Sequence, residues 1–179
     1  MVTANIFFTA DTHFGHGGAL GLFRRPFGSV AEMDEALVTN WNEAVRPGDT
    51  VWHLGDFAVR ATQGRMQAIL ERLHGTKHLI AGNGDTPAAR ALAGWASVAD
   101  YAELKLAGRR LILCHYPLRA WNDQHRGAMD LHGHSHGRLK PLPRQLDVGV
   151  DAWSFRPIAL EEVLARLTRR RSVSRQDRA

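Results

Sequence analysis

Seven aspartate, asparagine and histidine residues of this 179-residue chain follow short apolar runs or glycines, where strands are expected to end. Such side chains donate oxygen and nitrogen, a mixture that suits Mn, Fe, Zn, Ni or Co better than Mg or Ca. Seven donors exceed what one ion needs, and they suit two ions about 3.5–4 Å apart that share a bridging carboxylate. The seven residues are Asp11, His13, Asp56, Asn83, His115, His134 and His136.

The spacing within two of these motifs supports metal binding. Asp11 and His13 are two residues apart, so in an extended segment both side chains point the same way and can reach one ion. His134 and His136 have the same spacing and could serve two neighbouring ions. Glycines beside these motifs, at positions 55, 82 and 133, allow sharp turns of the backbone.

The first half of the chain alternates strand and helix patterns. Strand-like runs are predicted at Asn5–Ala10, Thr50–Leu54 and His78–Ala81. Apolar residues recur at helical spacing between them, and Ser29 followed by Glu32 predicts a capping box at one helix start. In α/β sheets ligands bind at the carboxyl ends of the strands, so the strand ends should bring the seven donors to one rim.

The second half is predicted to be richer in strands. Tyr101–Ala107 and Arg110–Cys114 flank a glycine turn and predict a β-hairpin. Further strands are predicted at Met129–His132 and Gln145–Val150, followed by a helix near Leu160–Thr168. The whole order predicts an α/β protein with a mixed sheet or two packed sheets.

Length and charge predict one domain with a basic tail. Residues 169–179 hold five arginines and one aspartate, a net charge of +4, so residues 1–168 carry +1 of the total of +5. We therefore expect a single domain over 1–168 and a disordered tail over 169–179. The nearly neutral domain does not indicate nucleic-acid binding, although the tail leaves it open.

The remaining composition predicts a cytoplasmic protein. Cys114 is the single cysteine, which excludes a disulfide framework and fits a reducing compartment. The N-terminus lacks the pattern of a signal peptide, and no apolar run is long enough to span a membrane. The sequence does not predict an oligomeric state.

Five short motifs, in order, resemble the calcineurin-like metallophosphoesterase family, and its small bacterial and phage-like members in particular. They are Asp-Thr-His from position 11, Gly-Asp-Phe from 55, Gly-Asn-x-Asp from 82, a lone histidine before Tyr-Pro at 115, and Gly-His-Ser-His from 133. The resemblance implies a four-layer α/β/β/α sandwich with mixed sheets and a dinuclear metal centre at one rim.

The resemblance also implies a role for each ligand. One ion would be held by Asp11, His13 and His136, the other by Asn83, His115 and His134, with Asp56 bridging the two. The cofactors would be two divalent transition-metal ions, manganese foremost, with Fe, Zn, Ni or Co as alternatives. A hydroxide between the ions would attack phosphorus in line while both ions neutralise the phosphate oxygens.

Gly84 departs from the family pattern. Many members have a histidine there, which is thought to protonate the leaving oxygen or to bind phosphate. Such an acid is worth about 10²–10⁴-fold, most of all for poor leaving groups. The absence of this acid, and the room left beside the phosphate, favour a phosphodiesterase. We also expect Gly84 to have a positive φ, which would strain a side chain at this position. Asn83 and Asp85 remain as polar loop residues, Asp85 orienting the loop near the catalytic atoms.

Several further residues are candidates with open roles. His16 could lean over the site and replace the missing acid, or it could be a surface histidine. Arg24, Arg25 and Arg126 are candidates for binding an anionic substrate, although exposed loop arginines are common. Asp147 and Asp151 follow a strand near the rim, where they could support the site or form a turn.

The sequence thus predicts a metal-dependent phosphoric ester hydrolase that acts on a small phosphate ester. A phosphodiesterase is favoured over a phosphomonoesterase. One alternative is a phosphomonoesterase or nucleotidase in which His16 or another residue supplies the acid. Another is a non-catalytic protein-binding scaffold on the same fold, although scaffolds tend to lose ligands that this chain retains.

Overall fold

Four parallel strands form the sheet that carries the first motifs. The computed structural model describes residues 4–140 and 142–167. Its first sheet contains β1 (Ile6–Thr9), β2 (Thr50–His53), β3 (Thr76–Ile80) and β4 (Trp95–Ala99), and the short β9 (Ile158–Ala159) adds to it. The strand order is β4-β3-β2-β1-β9, and β9 runs antiparallel to β1. The carboxyl ends of β1, β2 and β3 therefore lie at the same edge of the sheet.

Helices connect these strands, and their caps follow the sequence signals. They are α1 (Gly17–Leu22), α2 (Val30–Ala44), α3 (Gln63–Arg72) and α4 (Pro87–Arg90). The Ser29 hydroxyl accepts a hydrogen bond from the Glu32 amide at 3.1 Å, as the predicted cap of α2 requires. The carboxylate of Glu32 reaches back to the amide of Gly28 instead of Ser29, so the capping box is shifted by one residue.

The second sheet has four strands in the order β5-β6-β7-β8. They are β5 (Tyr101–Leu106), β6 (Arg109–Cys114), β7 (Met129–His132) and β8 (Gln145–Asp147). The hairpin between β5 and β6 is antiparallel as predicted, and β6, β7 and β8 are parallel. Ala107 and Gly108 both have positive φ in its two-residue turn, the geometry that matches the twist of paired strands.

Two apolar layers hold the sheets in place. One face of the first sheet packs on α2 and α3 around Trp41, Phe57 and Leu70. The other face packs against the second sheet around Phe8 and Leu113. Side chains alternate along β6, so that Leu111 and Leu113 enter this inter-sheet layer while Ile112 points to the opposite face.

The structure confirms the prediction of an α/β fold with two mixed sheets. On the outer face of the second sheet, Ile112 packs with Trp121 and Ala128, from a segment whose regular structure is the 3-10 helix Gln124–Arg126. Among the described residues that layer is thus made by a loop and one short 3-10 helix. Residues 160–167 are helical and place Val163 in the inter-sheet layer.

Sequence patterns missed two strands. The residues of β4 are half-buried or exposed and lack a strong apolar alternation, and β9 has only two residues. The tail over 169–179 lies outside the described residues, so the expected domain boundary and disorder stay predictions. Across the described ranges, no helix is long and apolar enough to cross a membrane.

Candidate metal centre

The loops that follow β1 and β2 run side by side at the edge where the parallel strands end. The amide of Asp11 donates to the carbonyl of Gly55 at 2.9 Å, and the amide of His13 donates to the carbonyl of Asp56 at 3.0 Å. This backbone pairing continues the sheet beyond its strands. It brings the predicted ligands of the two motifs together although about 45 positions separate them.

A first group of ligand atoms contains Asp11, His13 and His136, which lie within 4.8 Å of one another. Both ring nitrogens of His13 are buried, and neither has a hydrogen-bond partner. Burial, with a contribution from the nearby Arg25, lowers the pKa of His13 to about 2, so the ring is neutral at pH 7. A neutral, unpaired imidazole beside a carboxylate is the form that binds a metal ion.

A second group contains Asp11, Asp56 and His115 within the same distance of one another. The Nδ1 atom of His115 lies 2.8 Å from the carbonyl oxygen of Leu54 and must therefore donate to it. In the neutral ring, Nε2 then carries a lone pair. It faces Oδ1 of Asn83 at 3.1 Å and Oδ1 of Asp56 at 3.6 Å, so three electron donors converge on one point.

Asp56 belongs to the second group and also faces His13 of the first. Its Oδ1 faces Nε2 of His115, and its Oδ2 faces Nε2 of His13, each at 3.6 Å. Two oxygens of one carboxylate that face two different imidazoles match the geometry expected of a bridging ligand. The bridging role that the resemblance implies for Asp56 stays a prediction.

His134 contributes in two ways. Its amide donates to the carboxylate of Asp11 at 2.9 Å, and its ring lies 5.1 Å from the ring of His115. The side chain is exposed and lies outside both ligand groups. Its predicted role as a ligand of the second ion therefore stays a prediction.

Five of the seven predicted ligands have left-handed backbone conformations. Non-glycine residues with positive φ are uncommon and persist where the surrounding structure holds them, often at functional sites. Their φ values run from 49° to 64°. The five are Asp11, His13, Asp56, His134 and His136.

The ligand set fits divalent cations. Buried Asp11 lies near the carboxylates of Asp56 and Asp147, and burial together with Asp147 raises the pKa of Asp11 well above its usual value. The neighbouring His13 is neutral and supplies no compensating charge. Carboxylates gathered around neutral imidazoles would be stabilised by bound cations.

Close packing at two glycines supports the ligand carboxylates. A Cβ atom at Gly82 would lie 2.4 Å from Oδ1 of Asp56, and one at Gly133 would lie 2.7 Å from Oδ2 of Asp11. No side chain fits at either position without displacing a ligand. The expectation that these glycines serve sharp turns is thus replaced by a steric reason, since neither has a positive φ.

Asp85 positions the site rather than acting in it. Its carboxylate accepts hydrogen bonds from the amides of Gly82, Asp56 and Phe57 at 2.8–2.9 Å. Burial nevertheless raises its pKa. Because its oxygens are engaged with backbone amides, Asp85 fixes the loop after β3 to the loop after β2. These contacts are those of the loop-orienting residue that the sequence predicts at position 85.

Gly84 differs from expectation in two respects. Its φ is not positive. A Cβ atom there would lie 3.0 Å from Oδ1 of Asp56 and 3.1 Å from Cγ2 of Val59, so the position faces the bridging carboxylate and not open space for a second ester group. A side chain at position 84 would press on Asp56.

His16 and Arg60 lie at the rim. The ring of His16 is 5.3 Å from the ring of His13, and its Nδ1 has no partner. Burial, and then the charge of Arg60, lowers the pKa of His16. Sequence reasoning missed Arg60, although it follows Asp56 by four positions in the same loop.

Two of the three arginines predicted to bind substrate are engaged or placed elsewhere. Arg25 is buried, and its guanidinium bonds to Asp151 and to backbone carbonyls. Arg126 is 75% exposed near Asp123, in a cavity beside Arg109 at the amino end of β6. The ligand His115 follows the other end of that strand, so both predictions were wrong. Arg24 is exposed, and its role stays a prediction.

Asp151 and Phe23 surround His136. Nδ1 of His136 donates to Oδ2 of Asp151 at 2.7 Å, and the ring stacks on Phe23 with centroids 3.5 Å apart. The sequence left Asp151 open between a supporting and a turn role, and the structure gives it the supporting one. The sequence signal for Asp151 was its position, with Asp147, after a strand that ends near the rim. No sequence pattern indicated that Phe23 would contact His136.

Residues 5–142 match the sequence model of the calcineurin-like phosphoesterase superfamily domain. The chain belongs to this superfamily. Membership supports a hydrolase that uses divalent metal ions, and the two ligand groups supply candidate residues for them.

Three relatives show how far the likeness extends. The uncharacterised protein MJ1445 of Methanocaldococcus jannaschii is 27% identical over 92% of each chain. The gene 66 protein of Mycobacterium phage D29 is 31% identical and covers 84% of this chain and 89% of its own. The crystal structure of the protein of unknown function AQ665 from Aquifex aeolicus has a TM-score of 0.75 at 24% identity, over 90% of this chain and 98% of that one. The fold is thus shared almost end to end.

Proposed function

We propose that this superfamily member is a phosphodiesterase that uses two divalent transition-metal ions, manganese foremost, to hydrolyse a P–O ester. The observation that carries the proposal is the position of Asp56, whose two oxygens face Nε2 of His13 and Nε2 of His115, each at 3.6 Å. One ion would be held by Asp11, His13 and His136, and the other by Asn83 and His115 with His134 close by. Asp56 would serve both.

When bound, two such ions supply Lewis-acid charge for the phosphate oxygens and lower the pKa of water to yield a nucleophile near neutral pH. The protein supplies the orientation. Nδ1 of His115 is held by the carbonyl of Leu54, and Nδ1 of His136 is held by Asp151, so each ring presents Nε2 to the site. Buried Asp85 keeps the loop that carries Asn83 against the loop that carries Asp56.

The preference for diesters rests on the absence of an acid. Position 84 holds no side chain, and the bridging carboxylate occupies the direction that one would take. The remaining candidate is His16, and burial together with the charge of Arg60 lowers its pKa, which disfavours the protonated form that an acid requires. Without proton donation the leaving oxygen carries negative charge, which favours aryl and strained cyclic diesters.

A phosphomonoesterase or nucleotidase is the second candidate, and it rests on the position of His16. Its ring lies beside His13 at the rim, where it could reach a leaving group. A protein-binding scaffold is less favoured because the ligand groups are complete enough to hold ions.

We propose that the physiological substrate is a small phosphate ester. Nucleic acid is less favoured because the domain is nearly neutral. The cytoplasmic location stays a prediction that rests on the single cysteine, which is half-buried.

A substrate panel tests the proposal. Protein stripped with a chelator would be assayed with aryl monoesters, aryl diesters and cyclic nucleotides, with Mn, Fe, Zn, Ni or Co added in turn. We expect two ions per chain and faster turnover of diesters. Faster turnover of monoesters would support the His16 alternative. Two bound ions without hydrolysis of any ester would contradict the proposal that the protein is an enzyme. The absence of any bound ion would also contradict it.

A further inference from the structure

The guanidinium of Arg25 has a partner for each of its five N–H groups. Nε and Nη2 donate to the two oxygens of Asp151 at 2.9 and 2.8 Å. Nη2 also donates to the carbonyl of Asp11 at 2.6 Å, and Nη1 donates to the carbonyl of Thr12 at 2.8 Å and to the sulfur of Met33 at 3.5 Å. The side chain is 0% exposed, so Arg25 has no free N–H group for a substrate.

These bonds join two distant segments that carry ligands of the same group. The carbonyls belong to the turn from Asp11 to His13. The carboxylate of Asp151 binds Nδ1 of His136 at 2.7 Å, which leaves Nε2 of that ring for a metal ion. Asp11, His13 and His136 are the first ligand group, so one guanidinium binds the turn that carries two of its members and the carboxylate that holds the third.

The turn that Arg25 holds is strained. Asp11 has a φ of 57° and His13 a φ of 52°, left-handed conformations that are unfavourable for residues other than glycine. Such residues keep their geometry where other contacts over-determine it. The bonds to the carbonyls of Asp11 and Thr12 lie within this strained turn, where they oppose its relaxation.

The second ligand group has different supports. Nδ1 of His115 is held by the carbonyl of Leu54, and the loop carrying Asp56 is held by Asp85. No hydrogen bond from Arg25 to either support is recorded among residues 4–140 and 142–167. Asp11 belongs to both groups, but His13 and His136 belong to the first alone, and Arg25 supports these through the turn and through Asp151. A defect at Arg25 should therefore reach the first group more than the second.

We propose that Arg25 is a positioning residue that sets the geometry of the Asp11, His13 and His136 site and thereby its metal affinity, selectively over the Asn83 and His115 site. The inference rests on the proposed dinuclear function. Arginine suits the task because its planar fork can bind a carboxylate bidentately while its remaining N–H groups reach two carbonyls. A lysine has three donors on one atom and cannot span them.

The test measures metal binding, with Mn²⁺ alone as the probe. Chelator-treated wild-type protein and Arg25→Lys would be titrated by calorimetry, and thermal melting would be followed in parallel. We expect two sites in the wild type. In the variant one site should weaken by about 10–100-fold, the usual effect of losing a partner of a metal ligand, while the other keeps its affinity.

A matched control uses another bidentate arginine pair. Arg72 binds Glu35 at 2.8 and 2.6 Å between α2 and α3, away from the ligand loops. Arg72→Lys should leave both metal affinities unchanged. Asp151→Asn provides a second approach if Arg25→Lys does not fold, because it keeps the size of the side chain but removes the charge that Arg25 neutralises. It should weaken the same single site.

The outcomes separate this inference from the proposed function. Wild-type affinity at both sites in the folded variant would overturn the role of Arg25, even in an active enzyme. An equal loss at both sites would also overturn it, because it would show a general structural effect. A loss confined to one site would support it, even if the wild type hydrolysed no phosphate ester and the proposed function failed.

Discussion

The amide of Gly84 donates a hydrogen bond of 2.6 Å to Oδ1 of Asp56, the same oxygen that faces His115. The residue at the position of the expected acid thus orients the bridging carboxylate through its backbone. A Cβ atom on Gly84 would lie 3.0 Å from that oxygen and 3.1 Å from Cγ of the same carboxylate. The packing at this site therefore requires glycine at position 84, and the glycine also leaves the site without the acid expected there.

Gly84→Ala should lower activity, because the added methyl must push Asp56 or Val59 aside. Overpacking of this kind costs about 1–3 kcal/mol, and we expect turnover and metal affinity to fall by about tenfold. Kinetics and Mn²⁺ titration of the same preparation would measure both effects.

Gly64→Ala is the control for this substitution. Gly64 lies on α3, and a Cβ atom there would meet no atom within 4 Å. We expect unchanged activity and at most a small gain in stability, because Gly64 lies in the first turn of α3 and not in its interior. Equal activity of the two alanine variants would show that the contact between position 84 and Asp56 has no consequence.

Asp56→Asn should abolish most activity and weaken the binding of both ions, because it removes a negative charge whose two oxygens face His13 of the first group and His115 of the second. A loss of several kcal/mol of interaction corresponds to a reduction of about 10²-fold or more in rate. Metal content by elemental analysis and turnover of an aryl diester would check it. His74→Ala, whose ring binds the carbonyl of Val45 away from the ligands, should remain close to wild type. Similar losses in the two variants would show that the site is misplaced.

His16→Gln should leave diester hydrolysis nearly unchanged if the leaving group departs without a proton. For the wild type, the logarithm of turnover should then fall steeply as the pKa of the leaving group rises. A series of substituted aryl diesters measures this slope in both proteins. A shallow slope in the wild type that becomes steep in the variant would identify His16 as the acid and contradict the argument from Gly84.

The stability of the metal-free protein should fall as the pH drops from about 6.5 to 3, with His53 as one cause. Its ring is fully buried, its Nε2 contacts the hydroxyl of Thr12 at 2.9 Å, and its Nδ1 is unpaired. Burial, and then the neighbouring His115, lowers the pKa of His53 to about 3. The unfolded chain has a histidine pKa near 6.5, so between these values it binds one more proton than the folded chain.

Because of this difference in bound protons, His53 lowers the free energy of unfolding by up to about 1.4 kcal/mol for each unit that the pH falls between about 6.5 and 3, and has no such effect above pH 6.5. His53→Gln, whose amide can still contact Thr12, should therefore flatten the dependence of the unfolding free energy on pH. Denaturant unfolding with chelator present measures it. His125→Asn, at an exposed position, should not change the curve. Parallel curves for wild type and His53→Gln would contradict the burial argument.

The order and spacing of polar residues at strand ends were sufficient to predict that the candidate ligands lie at one edge of the sheet. Asp11, Asp56 and Asn83 follow three strands that are parallel neighbours, and neighbouring parallel strands end at one edge. Helix caps such as Ser29 were predictable for a similar reason, because the bond from the Glu32 amide spans three positions. Weak local patterns failed at β4 and β9, whose pairing depends on neighbours distant in sequence.

The sequence by itself therefore determined which residues are the candidate metal ligands and that they meet at one edge of the sheet. Only the tertiary structure decided what each supporting residue does, because those roles depend on contacts that no local pattern encodes. Arg25 meets Asp151 across 126 positions, and that contact makes it a buried support instead of a substrate ligand. The direction of a Cβ atom at Gly84, toward a carboxylate 28 positions away, is likewise a property of packing.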